Sequence, residues 1–262
     1  MDTQVIKRAA EFVWKHWSGG TYFECLSREL APQTIADGYR IQAAIGDLAG
    51  DEVVGWKIAA TSEAGQRHIH VDGPIAGRLF GSRVHHSPAR FAMGANRMRV
   101  AEAEFAFTLA DDLPPREKPY TLTEVMDAVA TLHPAIELPD SRFEDFTVAG
   151  SPALAADVAC AHWFVLGEAT RADWRGVDLR THATRLEING ETVTTGSGAD
   201  ALGDPRAALT WLANAHAERG EGLLADQVIT TGVCGKPSPI DDGDRIVADF
   251  GSFGRVEIHL IG

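Results

Sequence analysis

The stretch RVAEAEFAFTL, residues 99–109, sets two glutamates inside an otherwise apolar run. Its alternation is that of a strand, which places Val100, Glu102, Glu104 and Ala106 on one face and Ala101, Ala103, Phe105 and Phe107 on the other. Such a strand needs a core against its aromatic face and a space that tolerates charge against its acidic one. Two carboxylates about 7 Å apart repel each other in a low-dielectric site and raise each other's pKa unless something positive lies between them. A divalent cation is the economical partner, and Mg²⁺ or Mn²⁺, which take oxygen ligands, are the expected ions. The alternative is that Glu102 and Glu104 line the wet face of an edge strand.

The chain is long enough, at 262 residues and 45% hydrophobic, to bury a sizeable core in one large domain. Its formal net charge of −13 disfavours nucleic acid and anionic membrane surfaces, which both demand a concentrated basic face. No apolar run approaches the roughly 20 residues of a membrane span. The start, MDTQVIKRAAEFVWKHW, has acid and polar residues where a signal peptide needs an apolar segment, so a cytoplasmic location is expected. Cys25, Cys160 and Cys234 are far apart and form no CxxC pair, which suggests core residues rather than disulfides or a zinc site.

Helical spacing of Val5, Ala9, Phe12 and Val13 predicts a first helix ending at Gly19-Gly20, and a second begins at Ile35 and ends near Gly50. Beyond this the period becomes that of strands. VVGWKIAA (53–60) is rich in β-formers, Asn189-Gly190 predicts a two-residue hairpin turn, and DQVITTG, DRIVADFG and GRVEIHL predict three late strands. Asp204 and Pro205 open a helix that Gly220 closes. The expected organisation is a helical cap, residues 1–50, on a β-rich unit, residues 51–262.

A third acid lies in a similar setting: Glu137 stands between Ile136 and Leu138 in HPAIELPDSR. Three glutamates make a facial set for an octahedral ion with open positions, although a salt bridge from Glu137 to Arg142 fits the spacing equally well.

These segments, with GWKIAATS (55–62), VDGPIAGRLF (71–80) and TTGSGADALGDPRAALTWLAN (194–214), resemble the fumarylacetoacetate hydrolase superfamily in order and spacing. The nearest likeness is to its 2-keto-4-pentenoate hydratase and 4-oxalocrotonate decarboxylase branch, over nearly the whole chain. The resemblance implies an α+β fold, a mixed β-sandwich roll with an N-terminal helical cap. It also implies one Mg²⁺ or Mn²⁺ on Glu102, Glu104 and Glu137, chelating the carboxylate and 2-oxo oxygens of a small 2-oxo or 2-enol acid, and a homo-oligomer. Lys57 matches the family's pocket lysine. On a strand it shares a face with Val53, Gly55 and Ala59, and its pKa is expected to be lowered near a metal. Thr231, in the turn TTGV (230–233), is expected to touch substrate.

Two departures bear on the reaction. Hydratases of this branch often carry an acid in V-D-x-P-D where this chain has Ile75, and a polar D-N-A-S-S run where it has Val158, Cys160 and Ala161. The leading expectation is a metal-dependent hydro-lyase of a 2-hydroxy-2,4-dienoate in aromatic catabolism. Decarboxylation of a 4-oxalocrotonate-like diacid, hydrolysis of an acylpyruvate, and a non-catalytic partner subunit are its rivals. His68 or His70 would supply the base in the hydrolytic case; His68-Ile69-His70 and His85-His86 lack the spacing of a zinc site.

Overall fold

The computed structural model describes residues 1–262. Two helices lead, α1 (Thr3–Gly19) and α2 (Ile35–Ala49), and the short helices α3 (Glu63–His68), α4 (Leu122–Asp127) and α5 (Ser151–Ala156) and the longer α6 (Pro205–Glu218) follow among thirteen strands. The strands are β1 (Val53–Ala59), β2 (Ile75–Phe80), β3 (Val84–His86), β4 (Ala89–Phe91), β5 (Val100–Leu109), β6 (Val129–Leu138), β7 (Trp163–Leu166), β8 (Ala183–Ile188), β9 (Glu191–Ser197), β10 (Val228–Val233), β11 (Ser238–Pro239), β12 (Arg245–Asp249) and β13 (Arg255–Leu260).

They form two sheets. The larger runs β2-β1-β10-β5-β6-β7-β3, with β11 added on β5, and the smaller runs β4-β13-β12-β8-β9. The expected α+β roll is the observed architecture. Local chemistry fixes its corners: Asn189 and Gly190 take the positive φ angles of 52° and 89° that the β8–β9 turn requires, and Asp204 caps α6 by accepting from the Arg206 N–H at 2.9 Å.

Strand β5 lies inside the larger sheet, between β10 and β6, which excludes the edge-strand alternative. Its aromatic face meets the smaller sheet, where Phe105 packs edge-on against Phe250 with ring centres 4.9 Å apart. Its other face carries Glu102 and Glu104. Helices α1 and α2 pack on the outer side through a separate apolar cluster that includes Val13, Trp17, Ile41 and Ile45 and reaches Phe80, Phe143 and Val158. Gln42 ties α2 inward, its buried side-chain amide donating to the carbonyls of Ala76 in β2 and Ala155 in α5 at 3.1 and 2.8 Å. No helix is long and apolar enough to cross a membrane.

Candidate metal centre

Register brings the three glutamates together. Glu102 of β5 lies directly opposite Glu137 of the antiparallel β6, so their side chains leave the sheet on the same face, and Glu104 follows two residues along. The three carboxylates offer oxygen atoms all within 4.8 Å of one another. Glu104 and Glu137 are each 1% exposed, while Glu102 is half-buried and marks the open side.

Lys57 completes the cluster from β1. Its Nζ lies 3.1 Å from Glu137 Oε1 and donates to the Ala159 carbonyl at 3.0 Å. The ion pair is close without hydrogen-bond alignment, and both Glu137 oxygens lack a hydrogen bond although they are buried. Fully ionised, three carboxylates against one ammonium would place two surplus negative charges in a nearly dry site. Burial pushes all three carboxyl groups above their ordinary range, and mutual repulsion adds to this for Glu102, which rises to about 7, and for Glu104. Buried oxygens without donors and a surplus of two charges fit a divalent cation.

The lowered Lys57 pKa is expected beside a metal; with the carboxylates alone the direction is the reverse. Burial acts to lower it, but Glu137, then Glu102 and Glu104, outweigh burial and hold the ammonium above its usual value. The alternative salt bridge from Glu137 to Arg142 is absent. Arg142 Nε donates to Asp157 Oδ1, and the guanidinium lies 4.2 Å over the Trp17 ring, both partners of the ion pair being at most 2% exposed.

Glu104 is oriented by contacts that the sequence does not single out. The Thr230 hydroxyl and the Gly232 N–H, the latter at 2.9 Å, both donate to its Oε2. A β-bulge between Thr230 and Val233 and a φ of +105° at Gly232 turn that N–H inward. Thr231, expected at the substrate, points the other way: its hydroxyl donates to the Phe105 carbonyl at 2.9 Å and the residue is wholly buried. Alternation from Glu104 across the ladder would have picked Thr230, had the bulge been readable.

Ile75 faces Ala59 across the β1–β2 ladder and Gly77 faces Lys57, so Ile75 stands on the lysine's face, one step along. Val158 packs against α1 and α2 rather than toward the carboxylates. Val158, Ala159 and Cys160 form a single left-handed turn, with φ of 53°, 52° and 61°. L-residues pay about 1–2 kcal/mol each for that conformation, so three in succession without glycine is a strained arrangement. His70 Nδ1 is engaged by the Thr147 carbonyl at 3.0 Å, and His68 lies by the Phe146 ring; neither joins the carboxylates.

Residues 82–261 match the family model described as fumarylacetoacetate (FAA) hydrolase C-terminal. The chain is 31% identical to the 2-keto-4-pentenoate hydratase of Paraburkholderia xenovorans (strain LB400) over 259 residues, 98% of this chain and 95% of that protein. It is 29% identical to the 4-oxalocrotonate decarboxylase of Pseudomonas putida over 239 residues, 90% of this chain and 89% of the relative. Among solved structures, the 4-oxalocrotonate decarboxylase from Pseudomonas putida G7, complexed with magnesium and adipate, superposes with a TM-score of 0.90 at 29% identity, covering 100% of this chain and 99% of that one. By sequence over most of its length and by fold over all of it, the chain belongs to the fumarylacetoacetate hydrolase C-terminal family.

Proposed function

We propose that the protein is a divalent-metal-dependent lyase that hydrates a 2-hydroxy-2,4-dienoate of the 2-keto-4-pentenoate type, in the catabolism of aromatic compounds. The observation that carries the reading is the convergence of three carboxylates within 4.8 Å beside the buried Lys57. Glu102, Glu104 and Glu137 would hold Mg²⁺ or Mn²⁺. When bound, the cation supplies Lewis-acid polarisation of the substrate's carboxylate and 2-oxo oxygens. Lys57 Nζ, held between Glu137 and the Ala159 carbonyl, would as the neutral amine accept the proton that the substrate's 2-hydroxyl loses as the enol becomes the ketone, and as the ammonium return it to the carbon chain of the dienol. With a dication held by the glutamates, Lys57 would feel less of the negative field that raises its pKa and could reach the neutral form that acts as the base. The reading takes the enzyme as a homo-oligomer, following the family resemblance, and as a cytoplasmic protein.

Ile75 favours a second reading. An apolar side chain, 1% exposed, stands beside Ala59 on the lysine's face where an acid would handle water, and decarboxylation of a 4-oxalocrotonate-like diacid uses the same chelation without adding water. The test is 2-hydroxypenta-2,4-dienoate with Mg²⁺, followed by ultraviolet absorbance and product analysis. Loss of the dienol band with a 4-hydroxy-2-oxo acid as product supports hydration. An unchanged band, together with CO₂ release from the corresponding diacid, supports decarboxylation instead.

A further inference from the structure

The left-handed turn Val158–Cys160 carries the Ala159 carbonyl oxygen to which Lys57 Nζ donates, and glycine and hydrogen-bond constraints hold the backbone on either side of that oxygen. Gly77 lies directly across the β1–β2 ladder from Lys57, and a Cβ placed there would meet the Val158 carbonyl oxygen at 2.1 Å. The turn therefore rests on bare backbone, above the lysine, in space that only glycine leaves. On its N-terminal side it is anchored by Asp157, whose carboxylate accepts from the Ser141 hydroxyl at 2.7 Å and from Arg142. On its C-terminal side Arg142 Nη1 donates to the Ala161 carbonyl at 3.0 Å, and the Asp140 N–H donates to the Cys160 carbonyl at 2.9 Å. Gln42 of α2 holds α5, which leads into the turn, against β2, which carries Gly77.

We propose that this turn is a positioning device for Lys57: its strained backbone presents the Ala159 carbonyl to Nζ and, with Glu137, fixes the ammonium over the carboxylate cluster, while Gly77 and Gln42 act as positioning residues that seat the turn. The strain is tolerated because the Arg142–Asp157 pair and the apolar contacts of Val158 with α1 and α2 over-determine the backbone. The inference rests on the proposed reading only in giving Lys57 a chemical task; the placement of the ammonium is separable from it.

The experiment pairs a spectroscopic readout with kinetics on the full chain. Selective ¹⁵N labelling of lysine gives a side-chain signal for Lys57 that is protected from exchange, because Lys7, Lys15, Lys118 and Lys236 are all exposed; the Lys57→Met variant assigns it. Gly77→Ala, in Mg²⁺-loaded protein, should shift or broaden that signal and lower kcat on 2-hydroxypenta-2,4-dienoate at least tenfold, with KM and the Mg²⁺ dissociation constant within about threefold of the parent. Gln42→Met, the milder variant if Gly77→Ala does not fold, should move the same two quantities in the same direction by a smaller factor. A folded Gly77→Ala or Gln42→Met protein whose Lys57 signal is unmoved overturns the positioning role. A signal that moves while turnover is unchanged upholds the positioning and instead overturns the proton-transfer task given to Lys57.

Discussion

At the residue scale, the unusual feature is the imbalance of charge around Lys57. A buried lysine facing two buried glutamates and a half-buried third is held charged, and the surplus of two negative charges that the ionised carboxylates would carry defines what the site can receive. Lys57→Met removes the amine proposed to carry the enol proton while leaving the carboxylates in place. The expected outcome is a kcat loss of about 10²–10⁴-fold, the usual contribution of a positioned acid or base, with Mg²⁺ affinity retained; steady-state kinetics beside a metal titration checks it, and parental turnover would contradict it. The three glutamates and Lys57 were legible in the sequence because a charged residue inside an apolar alternating run is conspicuous. Thr230 and Gly232 were not, since their role depends on a bulge that shifts register by one place within TTGV.

At the element scale, two devices hold the cluster in shape. The β10 bulge aims a backbone N–H at Glu104, and Gly232 is required both by its positive φ and by space, because a Cβ there would meet Thr61 Oγ1 at 2.1 Å. Gly232→Ala is expected to destabilise the fold by about 1–3 kcal/mol and to weaken metal binding as the N–H at 232, one of the two donors to Glu104, is displaced; denaturant unfolding and a metal titration measure the two effects, and a variant matching the parent in both would refute the assignment. The second device is the Arg142–Asp157 pair. Asp157→Ala leaves a buried guanidinium unpaired, and the predicted loss of stability is about 3–5 kcal/mol, read from the shift in unfolding midpoint; a loss below 1 kcal/mol would show that the pair does not brace this corner. Spacing alone pointed Arg142 at Glu137, because the true partner lies in the element that follows α5 and only tertiary packing brings it close. Helices α1 and α2 were readable from apolar spacing and their closing glycines, α6 from its capping residues and the β8–β9 hairpin from Asn-Gly, whereas a left-handed turn made of Val, Ala and Cys has no local signature.

At the scale of the whole molecule, the carboxylate cluster couples folding to pH and to metal. With no cation bound, Glu102, Glu104 and Glu137 titrate above their ordinary value, Glu102 at about 7 rather than 4.5. A carboxyl raised in the folded state holds a proton that the unfolded chain gives up, so its contribution to stability is present below about pH 4.5 and is lost as the pH rises through about 7. Bound Mg²⁺ replaces those protons and restores the loss. The rise in Tm produced by saturating Mg²⁺ is therefore expected to be small near pH 5 and to grow toward pH 8, and a rise independent of pH would count against the coupling.

The most direct test of the three-glutamate centre is a calorimetric titration of Mn²⁺ into the metal-stripped protein and into Glu104→Gln, with far-ultraviolet circular dichroism to show that both are folded. One strong site per chain is expected in the parent, lost in the folded variant together with metal-dependent turnover. A Glu104→Gln protein that binds Mn²⁺ as tightly as the parent, or a parent that binds none, would contradict it.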